Sequence, residues 1–307
     1  MRSFSAFGWT IRYIVLVVLF IVFFIGGSLT VSGLIPDVKS DPGMLSNEIG
    51  ILVIALANTL LVMGLVLSSR WSGWKLALGL AFAYYGAVTF VMQIETWYFL
   101  SDITVGDELL PRLFMMGIPV AVFYVPLAVW ILGKGQPKAN SAINPVLEMP
   151  VKEWIWKLIT IALVYLALYW TAGYFIGWQN PELRAFYGSP GEGLSFWRHT
   201  IDTLRTNPGL FMFQLLRAMI WTLFALPVIR GSKVGVWQTA FLVGLLFSIP
   251  QNIGHILENP LIPIASVRLT HMVETASSTF IFGMIVTWLL YREQKSVRNL
   301  FKGSVIS

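Results

Sequence analysis

The chain has no cysteine and only three histidines, His199, His255 and His271, among its 307 residues. Disulfides, thiolate metal sites and cysteine nucleophiles are thereby excluded, and a metal centre would need carboxylates to complete it. Charge is scarce as well: Asp, Glu, Lys and Arg make up 12% of residues, against about 25% in soluble domains. Common catalytic signatures are missing: there is no Gly-rich phosphate loop, no G-x-S-x-G elbow and no HExxH helix. No hydrophobic run carries paired aspartates of the intramembrane protease type, and no lysine lies deep enough in one for a Schiff base.

What the chain has instead is 56% hydrophobic residues and a mean hydropathy of +0.73, the composition of an integral membrane protein. Roughly 20 apolar residues cross a bilayer core as a helix. Eight such runs are predicted, at about 10–34, 48–69, 74–100, 111–133, 153–178, 209–229, 236–257 and 267–291. The first is too long for a secretory signal and lacks a small-residue cleavage site, so it reads as a span. The fold class is an all-α polytopic bundle.

With the N-terminus in the cytoplasm, 14 of the 21 Lys and Arg residues fall in inside segments and 6 outside, with Arg217 left within a span. That asymmetry, the positive-inside pattern, puts both termini on the cytoplasmic side. It also accounts for the net charge of +6 without a nucleic-acid partner. Most of the tryptophans, Trp71, Trp74, Trp154 and Trp178 among them, sit at predicted span ends, as an interfacial belt does.

The polar break 134–152 divides the spans four and four, giving halves 1–133 and 153–307. RWSGWKLALGL in the first resembles IRGSKVGVWQTAF in the second, and Arg112 and Arg268 open the fourth helix of each. Four spans per half would make any duplication a parallel repeat. Between the fifth and sixth spans, Leu194, Trp197, Ile201 and Leu204 recur at helical spacing opposite Arg198, Asp202 and Arg205. This predicts an amphipathic helix at about 194–206 on the outer membrane surface, stopped by Asn207-Pro208-Gly209.

Ionisable groups inside spans cost roughly 2.5–3.5 kcal/mol each. Those present are Glu95 in the third, Arg217 in the sixth, and His271 with Glu274 in the eighth. Gln93 lies beside Glu95, and Gln251, Asn252 and His255 end the seventh. Helix rise places the charges on the order of 10 Å below the outer surface, leaving the inner half almost purely apolar. Arg217 is expected to pair with Glu95 or Glu274, with His271 as a further partner, while Arg268 stays wet at the interface. His271, Glu274, Thr275 and Ser278 share one helical face. Pro119, Pro126, Pro227 and Pro250 should kink their helices, Pro250 freeing a carbonyl towards the cluster.

Three readings of the cluster stay open: a packing network, an outward polar pocket for a small solute, lipid headgroup or proton, and a catalytic or metal centre. His271 and Glu274 have the His-x-x-Glu spacing of di-iron bundles. The chain lacks the second pair, but His271, Glu274 and His255 could hold one divalent metal. Axial ligation of haem by His255 and His271 is a further option with nothing else to mark it. An accessory subunit of a membrane complex would need no pocket at all.

QIETWYF at 93–99, YFIGWQNPELRAFYG at 174–188 and RLTHMVETASSTFIFG at 268–283 resemble segments of an uncharacterised family of bacterial multi-pass membrane proteins. That family has no assigned activity, so the resemblance implies an inner-membrane bundle and no reaction. The matching stretches contain Gln93, Glu95, His271 and Glu274.

Overall fold

The computed structural model describes residues 5–101, 103–137, 148–294, 297–301 and 304–305. Most of the predicted linker, and several cations used in the charge count (Arg2, Lys138, Lys295, Lys302), lie outside the described residues. Among the described residues, eight helices are long and apolar enough to cross a membrane: α1 (Ala6–Val31), α2 (Asn47–Ser68), α3 (Gly73–Leu100), α4 (Leu109–Ile131), α5 (Val151–Gln179), α7 (Pro208–Gly231), α8 (Val236–Ile256) and α9 (Ala265–Leu290). Between α5 and α7 lies α6 (Phe196–Thr206). The only strands among the described residues are the two-residue pair Arg292–Glu293 and Ser304–Val305.

Eight successive crossings define two faces, one beside the N-terminus and its opposite. At the N-terminal face, helix C-termini leave carbonyls unpaired, and cations meet them. Arg12 Nε donates to Ile131 O at 2.9 Å, Arg70 Nε donates to Ser232 O at 2.7 Å, and Lys134 Nζ donates to Ser69 O. The loops after α2 and α7 pair directly and reciprocally. Arg70 N donates to Gly231 O at 2.6 Å, and Lys233 N donates to Ser68 O at 2.9 Å.

Packing follows the same reciprocity: α2 packs on α8 and α3 on α7, while α1 pairs with α2 as α5 pairs with α7. The most extensive helix pair is α8 with α9, where a Cβ on Gly283 would lie 2.8 Å from Gly244 Cα. Without hydrophobic drive inside a bilayer, such backbone approach supplies van der Waals contact instead. Buried Leu16, Phe20, Tyr124, Trp221, Phe247 and Phe282 belong to the main core. Helix α5 is the loosest member, with 17% of its apolar window buried.

Irregular turns adjoin three of the four prolines, whereas Pro227 lies within the unbroken helix α7. A π turn, Val120–Tyr124, falls between Pro119 and Pro126 in α4, and after Pro250 helix α8 tightens into a 3₁₀ turn at Ile253–Ile256. A second π turn, Gly86–Phe90, interrupts α3 before Glu95.

Helix α6 forms where its spacing predicted, and Leu194, Trp197, Ile201 and Leu204 are all exposed. Its inner side is held by His199, whose ring stacks 5.2 Å from Trp170 and lies 5.1 Å from Trp178. Trp170 Nε1 donates to Thr200 Oγ1 at 2.7 Å. Burial among these rings lowers the His199 pKa, against a smaller upward pull from Asp202.

Two expectations about charge are corrected. Arg268 is not wet: it is 1% exposed. Its guanidinium donates to the carbonyls of Ile262, Pro263, Asp41 and Pro42 at 2.9–3.0 Å. Nor is the N-terminal half of the bundle purely apolar. Lys157, fully buried in α5, pairs with Glu153 at 2.7 Å, and Glu153 also accepts from Gln294 N.

Candidate functional site

Five helices bring the cluster together. Glu95 is five residues from the end of α3, whereas Arg217 and Glu274 are each nine residues into α7 and α9. At 1.5 Å per residue, all three lie about 8–14 Å below the face opposite the N-terminus. Each span that carries a charge also carries enough Leu, Ile, Val and Phe to remain inserted, so the bundle can bury these groups together.

Arg217 meets Glu95 in a forked arrangement, Nη1 to Oε1 at 3.1 Å and Nη2 to Oε2 at 2.5 Å. Gln214, one turn earlier, accepts from Arg217 Nη1 at 3.0 Å. The guanidinium also lies 5.8 Å from the Tyr165 ring and 5.7 Å from that of Phe213. Of the two expected carboxylate partners, the structure selects Glu95.

Glu274 pairs elsewhere. Its Oε2 is 3.3 Å from His271 Nδ1, one turn back on α9. On the other side of that imidazole, Nε2 is 2.9 Å from the hydroxyl of Tyr187, which follows the short helix Pro181–Phe186 outside the spans. Burial raises the Tyr187 pKa, and the negative charges of Glu95 and Glu274 add to the effect. The phenol therefore keeps its hydrogen, and either partner of this contact can be the donor, according to the imidazole tautomer. The carboxylate of Glu274 abuts Gly177, where a Cβ would come within 2.7 Å of Oε2.

Between these groups lies a cavity of about 20 Å³, lined by Glu95, Arg217, Gln251, Glu274, Tyr165 and Tyr169 together with hydroxyls of Thr275, Ser278 and Thr279. That is room for about one water, not for a headgroup. Several buried polar atoms in and around it, Gln251 Oε1, Gln214 Nε2, Gln93 Oε1 and Arg217 Nε, have no hydrogen-bond partner among the described residues. Such atoms are rare in folded proteins and point to a hydrated site.

The predicted residues are therefore only partly united. Glu95, Arg217, Gln251 and Glu274 share the cavity, and His271 joins through Glu274. Asn252 is attached by accepting from Thr275 Oγ1. Gln93 is buried beside the group but does not line the cavity. His255 stacks 6.5 Å from His271 and lines a separate 210 Å³ cavity with Pro42, Met44 and Arg268. No three His, Asp or Glu side chains among the described residues are arranged to hold a metal ion.

Sequence reasoning missed Gln214, Tyr165, Tyr169 and Tyr187. Gln214 was accessible in principle, since it stands three residues before Arg217 on the same helical face. The tyrosines were not, being ordinary residues of an aromatic-rich region.

Fold and site define a polytopic α-helical membrane protein with a buried, hydrogen-bonded ionic cluster. No protein-family model, curated protein or solved structure matches the chain. The resemblance of the three quoted stretches thus assigns neither a family nor a bacterial source, and multi-pass character stands on the helices themselves.

Proposed function

We propose that this protein binds and transports a small polar solute or a lipid headgroup at the Glu95–Arg217–Glu274–His271 cluster. The observation that carries this reading is that Glu95, Arg217 and Glu274 line one cavity together with Gln251, and that two buried atoms of these lining residues, Gln251 Oε1 and Arg217 Nε, have no hydrogen-bond partner among the described residues. A packing network would satisfy its own members, because half-satisfied buried polar groups are costly. The present cavity is water-sized, so taking a solute requires a helix to move. Helix α5 contributes Tyr165 and Tyr169 and is the least embedded of the eight, which fits it for that part.

The metal-enzyme alternative would need a third ligand beside His271 and Glu274, and metal analysis of wild type against Glu274→Gln tests it directly. We further propose a bacterial inner-membrane location with both termini cytoplasmic, supported by the Lys and Arg asymmetry. The parallel duplication of halves is likewise our reading, supported by the reciprocal loop pairing around Ser69 and Ser232.

The transport reading is tested by thermal unfolding of the purified protein against amino acids, sugars, organic acids, glycerol phosphate and phosphoethanolamine. At least one is expected to stabilise wild type and not Glu274→Gln. If none does, and an apolar Glu95→Leu/Arg217→Met pair is as stable as wild type, the cluster is a packing device.

A further inference from the structure

We propose that the cluster carries one exchangeable proton, held between Glu274 Oε2 and His271 Nδ1 and supplied from the opposite face through Tyr187. Solute movement at this site is then coupled to a proton. The inference rests on the transport reading and names its co-substrate.

Charge balance is the first argument. Two carboxylates, Glu95 and Glu274, line the cavity with one fixed cation, Arg217. Arg217 is committed to Glu95 through both terminal nitrogens. Facing Glu274 are His271 from its own helix, the phenols of Tyr165 and Tyr169 from α5, the Gln251 amide from α8 and the backbone at Gly177. The other charged or titratable groups nearby are Arg268, already bound to four carbonyls, and His255, stacked beyond His271. An ionised Glu274 would therefore stand without a fixed cation inside the bundle, which is costly. A proton shared with His271 removes that charge.

Geometry supplies the route. In this route the Tyr187 hydroxyl donates to Nε2, one of the two directions the contact allows, and the neutral imidazole then carries its own hydrogen on Nδ1, the atom facing Glu274. Tyr187 is half-buried and residues 188–190, next along the chain, are exposed, which places the phenol near the surface. In the transfer the Nδ1–H bond breaks as an O–H bond forms on Glu274 Oε2. The phenol hydrogen passes to Nε2, and the phenol oxygen takes a proton from a hydronium ion at the opposite face. The hydronium ion becomes water, imidazole and phenol end neutral, and the carboxylate ends as a carboxylic acid.

Infrared difference spectroscopy of the full chain in phosphatidylglycerol and phosphatidylethanolamine vesicles, between acid and alkaline buffer, tests the proton. Wild type is expected to show a carboxylic-acid C=O band that disappears on the alkaline side. The band should be lost in Glu274→Gln, and also in Glu95→Gln, where Arg217 is freed to neutralise Glu274. Isotope-labelled imidazole NMR in alkaline buffer tests the route: before the proton is taken up, His271 should be the Nδ1–H tautomer in wild type and a mixture in Tyr187→Phe. A folded wild type without the band, or a band that survives Glu274→Gln, overturns the exchangeable proton. An unchanged tautomer in Tyr187→Phe overturns the Tyr187 route. Neither readout uses a solute, so failure here leaves the ligand-stabilisation result standing, and failure there leaves the band to be measured.

Discussion

Gly177 has a role no side chain could fill, because it lets the Glu274 carboxylate lie against backbone. In Gly177→Ala the added methyl would stand 2.7 Å from Oε2 and must displace the carboxylate from His271. Oε2 is the far end of a flexible side chain and can swing aside cheaply, so we expect a nearly unchanged unfolding temperature together with loss of ligand stabilisation. A variant with unchanged stability and unchanged ligand response would mean that the carboxylate position is unimportant. At this scale a carboxylate partner for Arg217 was legible in the sequence, since an intramembrane guanidinium demands one, but the choice of Glu95 over Glu274 was not. The burial of Arg268 was not, because its partners are carbonyl oxygens that any residue supplies. Lys157 and Glu153 show the right i, i+4 spacing in the sequence. Only the segment around Gln294, folded over them, shows that they are buried.

Among the elements, α6 is the one whose attachment to the bundle is set by a titratable ring. The His199 pKa is lowered in the folded protein from its ordinary value of 6.5. Below that value the unfolded segment binds more protons than the docked one, so docking falls with falling pH. Attachment is complete above about pH 6.5 and weakens on the acid side. Amide hydrogen exchange over 196–206, corrected for intrinsic rates, should therefore speed up in acid for wild type and not for His199→Phe. Equal acid sensitivity in the two would place the effect elsewhere. The helix itself was readable from Leu194, Trp197, Ile201 and Leu204, whereas its clamp was not. Trp170 and Trp178 read as interface aromatics, and nothing in their spacing announces a histidine between them.

For the molecule as a whole, eight crossings were visible because hydrophobic length is a one-dimensional property. Which helices touch is not, and the reciprocal pairing of the loops at Ser69 and Ser232 emerges only in three dimensions. Orientation can be tested without first removing any residue, since the chain has no cysteine. With single Ser195→Cys and Gln136→Cys variants, both at exposed positions, a membrane-impermeant maleimide should label residue 195 on intact cells and residue 136 only after permeabilisation. The opposite pattern would invert the proposed topology.

The four carbonyls gathered by Arg268 come from two separate connections, the one entering α2 and the one entering α9. Parting those connections would strip the buried guanidinium of its acceptors on Asp41 and Pro42, at a cost of about 1–3 kcal/mol for each donor left unmet. Together with the glycine contact between α8 and α9, this ties α2, α8 and α9 into one frame. Under the transport proposal, α5 is the helix that would turn against that frame to admit a solute.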